Sequence, residues 1–200
     1  PRGVRWVFLL HPGEFLRSTA TARAAVPCLA AMSRGEGPTA PAAELLVFGC
    51  DAHERRLSEV LAGAAEQERG RRTVLLFPDA GGRTGVGGGA RPPSTMGEEE
   101  AAPGGLTVLV PDGSWSGAEA IVAEVRRRQA PRADIPCAAL DEAEVAAHRS
   151  PLIDALKPGR GLGRLTTLEA CALFLRGAGF GAAASALQRA MGPLVADAER

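Results

Sequence analysis

Three turns hold the residues whose types and spacing can do chemistry. His11-Pro12-Gly13-Glu14 sets an imidazole and a carboxylate three residues apart, and Arg17 follows. Asp112-Gly113-Ser114-Trp115 places an acid, a hydroxyl and an indole on one turn. A loop with glycines at 159, 161 and 163 runs into Leu165-Thr166-Thr167, where a helix can begin. The free N–H groups of a helix N-terminus suit a carboxylate or a phosphate. Trp115 offers a flat apolar face to a base or a cation. Nucleophilic serine catalysis fits poorly, because neither Ser114 nor Ser116 sits in a G-x-S-x-G elbow. His11 and Glu14 do not share a helical face and no third ligand is obvious, so a metal is not expected. The competing readings are structural: Asp112-Gly113 as an ordinary turn, and His11 as a turn residue satisfied by backbone.

The elements that position these turns are legible around them. Leu106–Val110 is an apolar run without polar alternation beyond Thr107, which fits a central strand covered on both faces. Pro111, lacking an N–H, is expected to end its ladder. Ser114 or Ser116 can cap the following helix, whose Ala118, Ile121, Val122 and Val125 share a face. Upstream, Val4–Leu10 reads as a strand leading to His11. Thr19 or Thr21 can cap a helix to about Met32, and Ser33–Pro41 reads as a loop. Glu44–Phe48 is a second strand, Ala52–Glu68 a helix, and Thr73–Phe77 a third strand stopped by Pro78. Strands alternating with helices point to an α/β fold with a mainly parallel sheet and helices on both faces. Ligands in such sheets sit beyond the carboxyl ends of the strands, where these turns fall.

Downstream, Ala133–Pro136 reads as a short extended segment, and Asp141 can cap a brief helix to about His148. Ser150–Gly163 reads as loop. Thr166 or Thr167 caps the next helix, with capping-box spacing from Thr166 to Glu169. A final helix spans Ala182–Met191.

Two hundred residues suit a single domain over 1–200. Residues 79–105 break the pattern, with abundant glycine, Pro92-Pro93 and Glu98-Glu99-Glu100; they read as a flexible insertion. The string Gly85-Val86-Gly87-Gly88-Gly89-Ala90 has dinucleotide-loop letters, but no strand delivers it directly and Arg91-Pro92-Pro93 follows instead of a helix. The 23 basic residues balance the 23 acidic ones, so a globally basic nucleic-acid binder is excluded, while a local patch is not. Arginines cluster at Arg55-Arg56, at Arg69, Arg71 and Arg72, and at Arg126-Arg127-Arg128. No apolar run is long enough to cross a bilayer. Cys28, Cys50, Cys137 and Cys171 are scattered among apolar neighbours, which suits core thiols in a reducing, intracellular compartment.

Four stretches in order carry a family resemblance. His11-Pro12-Gly13-Glu14 with Arg17-Ser18-Thr19-Ala20-Thr21, then Leu75-Leu76-Phe77-Pro78, Asp112-Gly113-Ser114-Trp115, and Gly163 to Ala170 resemble the H-P-x-E, R-x-T-N-T, L-L-[FY]-P, D-G-T-W and G-L-S-T-L-E-A elements of DTW-domain proteins. Those proteins are tRNA-uridine aminocarboxypropyltransferases. The resemblance implies a SPOUT-like fold with a C-terminal knot, S-adenosylmethionine as donor and tRNA as partner. It implies transfer of a 3-amino-3-carboxypropyl group to N3 of a uridine. Cofactor contacts would come from Leu76, Phe77 and Pro78, from Gly113, Ser114 and Trp115, and from Leu165, Thr166 and Thr167. His11, Glu14, Arg17, Thr19 and Thr21 would serve the substrate RNA. Removal of the N3 proton needs a base, and Asp112 is the natural candidate, provided burial beside Trp115 raises its pKa.

The chain departs from that pattern at two places. Ala20 replaces the asparagine of R-x-T-N-T. Ser150–Leu156 stands where relatives carry S-x-Y-x-L-R, with Ala155 or Leu156 in place of the basic residue. Two other functions therefore compete: an inactive RNA-binding relative, and a SPOUT-like RNA methyltransferase.

Overall fold

Strand β4, Leu106–Asp112, is buried along its whole length and sits in the middle of the sheet. The computed structural model describes residues 4–15, 21–32, 43–65, 72–77, 105–129 and 135–199. Around β4 lie β1 (Val4–Leu10), β2 (Ala43–Val47), β3 (Arg72–Leu76) and β5 (Cys137–Ala138). Their order is β2-β1-β4-β3-β5, and every pairing is parallel. The α/β fold with a parallel sheet is thus what the alternating pattern called for.

Alternation along each strand sorts its side chains onto two faces. On the first face Trp6, Phe8, Val74, Leu76, Val108 and Val110 meet α1 (Ala22–Met32), α6 (Thr167–Gly177) and α7 (Gly181–Ala190). Trp6 and Phe174 meet edge to face with centroids 5.7 Å apart, a geometry worth about 0.5–1.5 kcal/mol beyond area burial. On the second face Val7, Leu9, Leu75 and Leu109 meet α2 (Asp51–Ala65) and α3 (Trp115–Gln129). Both faces are covered by helices, as continuous apolar strands require.

Pro111 does not end β4. The strand runs through it, with Leu9 opposite Pro111 and Leu10 opposite Asp112. The Asp112 carbonyl accepts from His11 N–H at 2.9 Å, so the neighbouring Pro111 backbone turns towards β3. Pairing with β3 has stopped by then, at Leu75 opposite Leu109, and the missing N–H costs no ladder bond.

Other boundaries moved for local reasons. The fifth strand is Cys137–Ala138, just beyond the extended segment expected over 133–136, and Pro136 carbonyl accepts from Leu75 N–H at 3.0 Å. The region expected as loop contains α5 (Pro151–Leu156), capped by the Ser150 hydroxyl with proline in the first turn. That pairing of serine N-cap and early proline is a helix start signal that glycines further on obscured. After α4 (Glu142–Ala147) and α7 a further short helix, α8 (Gly192–Ala198), closes the chain. Cys137 and Cys171 are buried, but Cys50 is exposed at the turn after β2 and is not a core thiol. The insertion expected over 79–105 lies outside the described residues except for Gly105, as does Pro78. No helix among the described residues is long and apolar enough to cross a membrane.

Candidate active site

Strand register decides where Asp112 points. It shares parity with Val108 and Val110, so its side chain faces α1 and α6. There it is 6 % exposed. Oδ1 accepts from the Thr167 hydroxyl, and Oδ2 is buried without a hydrogen-bond partner. Burial raises the Asp112 pKa; the Thr167 bond and the nearby Ala22 amide oppose that, while the Glu14 charge adds to it. The expected cause was burial beside Trp115. The structure corrects this: Trp115 is 57 % exposed, and Thr167 of α6 and the start of α1 enclose the carboxyl.

Asp112 lines a cavity of about 260 Å³ at the carboxyl end of β4. Gly113 and Ser114 line it from the turn, Leu165, Thr166 and Thr167 from the approach to α6, and Glu14 and Thr21 from the first third of the chain. α5 completes the wall with Leu152, Ile153 and Leu156. Reading α5 as loop hid these three from the sequence; the Ser150-Pro151 start signal was the clue available. Among the described residues the lining includes two carboxyls, several hydroxyls and no lysine or arginine.

Each wall is held by local chemistry. Thr166 caps α6, its side chain accepting from Glu169 N–H at 3.3 Å while Glu169 Oε2 accepts from Thr166 N–H at 2.7 Å. Glu169 is fully buried, and its second oxygen lies 3.5 Å from His148 Nε2. The Thr21 hydroxyl does not serve α1: it accepts from Leu168 N–H at 3.4 Å and so ties the two helix starts together. Ser114, not Ser116, caps α3, accepting from Gly117 N–H at 3.3 Å.

His11 caps a short 3-10 turn, Pro12–Glu14, its Nδ1 accepting from Gly13 N–H at 3.2 Å. Its ring is wedged against the β4–α3 turn. A Cβ at Gly113 would stand 3.1 Å from His11 Cβ, and one at Gly117 the same distance from His11 Cγ. At both positions a side chain would push the imidazole back by a few tenths of an ångström, so glycine suits its close approach. Gly117 was not foreseen, because the contact is long-range.

Three further residues of the expected site lie outside the cavity lining. Phe77 packs against Trp115 with centroids 5.4 Å apart, on the second face. Leu76 faces the first-face core beside Leu168. None of these three lines the cavity. Pro78, Arg17, Thr19 and Ala20 lie outside the described residues. Cys171, fully buried, has its thiol pKa pushed far up by desolvation and by the Asp112 charge, so it is no nucleophile. No group of three or more histidine, cysteine or acidic side chains among the described residues is placed to hold a metal.

Searches of curated proteins and of solved structures gave no match. The family model for the DTW domain, by contrast, matches residues 1–197. That span includes every strand of the sheet and every described wall of the cavity, and on it the chain belongs to the DTW-domain family.

Proposed function

We propose that this protein modifies tRNA by transferring the 3-amino-3-carboxypropyl group of S-adenosylmethionine to N3 of a uridine. The observation that carries the reading is the buried Asp112 carboxyl, raised in pKa, with one oxygen free of partners at a cavity that lacks cationic side chains among its described lining. An imide N–H is a poor nucleophile until its proton is removed, and a carboxylate with raised pKa is a better acceptor than an ordinary aspartate. Asp112 takes the N3 proton and Thr167 holds the carboxylate in orientation; a C–N bond to N3 would form as the donor's C–S bond breaks, with the neutral thioether 5′-methylthioadenosine as leaving group.

The donor's character fits the walls. S-adenosylmethionine carries positive charge at its sulfonium and ammonium groups, which Glu14 favours and a lysine or arginine would oppose. When bound it supplies an alkyl group already activated on sulfur, with no metal needed. Gly113, Ser114 and Leu165–Thr167 are the residues proposed to hold it; Leu76, Phe77, Pro78 and Trp115 are proposed as contacts on the resemblance alone. His11, Glu14, Arg17, Thr19 and Thr21 form the side proposed for the uridine. The SPOUT-like knot is proposed on the same resemblance; the return of α6 to the end of β4, after β5 has formed at the sheet edge, supports it.

Titration calorimetry with S-adenosylmethionine, followed by mass spectrometry of nucleosides from incubated tRNA, tests the proposal. The expected product is uridine heavier by one aminocarboxypropyl group. A methylated nucleoside would instead select the methyltransferase reading, and cofactor or RNA binding without product the inactive one.

A further inference from the structure

In the arginine clusters conspicuous in the sequence, Arg56, Arg126, Arg127 and Arg128 are each held by a partner. Arg127 and Arg128 bond Glu124 at 2.6 and 2.9 Å, and Arg128 also reaches Glu54. Arg126 donates to Cys137 Sγ at 3.0 Å, and Arg56 pairs with Glu44 and Glu59. Three cations without an ion pair among the described residues lie together between α5 and α6. Lys157, Arg160 and Arg164 are exposed, make no ion pair with a described residue, and surround a hollow of about 400 Å³.

This loop is built to hold its shape. Gly159 and Gly163 adopt φ of 75° and 67°, which side chains other than glycine's resist. Gly161 N–H donates to Asp154 Oδ1 at 2.8 Å, its carbonyl accepts from Ser150 N–H at 3.0 Å, and Gly163 N–H donates to His148 carbonyl at 2.9 Å. A Cβ at Gly161 would stand 2.5 Å from the Ser150 carbonyl oxygen. Three positive charges are thus displayed on a pinned backbone, so little ordering cost opposes their use in binding.

Its position gives the display a purpose. The loop leaves the active-site cavity at Leu156 and returns to it at Leu165, both of which line the wall. The walls carry carboxyls and the adjoining hollow carries only cations. A substrate whose neutral base enters an acidic cavity while its phosphates stay outside matches that division. We infer that Lys157, Arg160 and Arg164 dock the phosphate backbone of the RNA whose uridine enters the cavity. The inference rests on the tRNA reading above and adds where the polyanion is held. A bilayer surface fits less well, since membrane-lying segments need a broad apolar face beside their cations, and only Leu162 and, at the loop's start, Leu156 are large exposed apolar side chains here.

The test is fluorescence anisotropy of end-labelled bulk tRNA against salt concentration, for the wild type, Lys157→Ala/Arg160→Gln/Arg164→Gln, and a control Arg55→Gln on α2. Removing one phosphate-bound cation lowers the slope of log affinity on log salt by about 0.7–0.9. The triple variant should lose about two to three in slope and roughly tenfold or more in affinity at about 0.15 M salt, with the control unchanged. Its affinity for S-adenosylmethionine and its thermal midpoint should match wild type; if the triple variant misfolds, Arg160→Gln alone should lose about one in slope. Wild-type slope and affinity in the variants overturn the inference, as does wild-type binding to anionic vesicles but not to tRNA. Loss of slope in the variant, with no modified uridine from wild type, leaves the docking surface standing and removes the transferase reading. Modified uridine at unchanged tRNA KM and slope does the reverse.

Discussion

Asp112 and Trp115 are three residues apart on one turn, yet they work on opposite faces of the sheet. Asp112 is enclosed by α1 and α6, with a buried oxygen lacking a partner. Trp115 opens α3, lies largely in solvent, and touches Phe77 on the second face. The side of Asp112 gathers the buried carboxyls, Glu14, Asp112 and Glu169, together with the Thr21 hydroxyl. The second face buries Thr73, Thr107 and Gln129, whose Nε2 donates to the Leu61 carbonyl at 2.9 Å while its Oε1 lacks a partner, and its charges pair on the outer rim. A buried carboxyl costs more than a buried amide or hydroxyl, so the concentration of carboxyls on one side marks where chemistry has been favoured over packing.

The largest effect that separates the two sides is expected at Asp112. Asp112→Asn keeps size and an acceptor but takes no proton, so transfer should fall by roughly 10²–10⁴-fold with S-adenosylmethionine affinity little changed. Stability carries the opposite sign. A raised carboxyl pKa favours the fold below the ordinary carboxyl range, and that contribution is lost as pH rises through the raised value. The asparagine variant avoids this loss, so its thermal midpoint relative to wild type should be higher at about pH 8 than at about pH 4. A midpoint that collapses at both pH values would make Asp112 a structural brace instead.

A smaller effect follows from the group that holds the carboxylate. Thr167→Val removes the hydroxyl donor from Asp112 while keeping the branched shape. With that pKa-lowering bond gone, the acid limb of the pH–rate profile should move to higher pH. Transfer at about pH 7 should drop about tenfold, the order expected for one hydrogen bond to a charged group. An unmoved limb would show that Asp112 does not set the profile.

Trp115→Ala should do least to the chemical step. Its loss from the Phe77 pair costs about 0.5–1.5 kcal/mol of stability beyond area. As a donor-side contact, its loss should raise KM for S-adenosylmethionine by at most about tenfold, with kcat little changed. A kcat loss equal to that of Asp112→Asn would abolish the distinction between the two sides.

Much of this arrangement was legible from local signals. Apolar runs located β1 to β4 within a residue or two, because strand burial shows directly in side-chain type. The Asp141 cap and the Thr166–Glu169 capping box were readable because both partners lie within one turn. Pro111 misled, since whether a missing N–H matters depends on which neighbour strand has already stopped. Helix α5 was hidden because three glycines downstream suggested loop, although they shape the turn that follows it.

The sequence by itself determined the strand–helix alternation, the turns that carry Asp112, Glu14 and Thr166, and the motifs that mark the family. Those depend on residue type and short spacing, which chain connectivity preserves. Only the tertiary structure decided that Asp112 meets Thr167 while Trp115 meets Phe77, that His11 wedges against Gly113 and Gly117, and that α5 completes the cavity. Asp112 and Thr167 are 55 residues apart in sequence. Their meeting follows from sheet order, strand parity and the helices that cover each face, and no local pattern encodes which distant element will arrive.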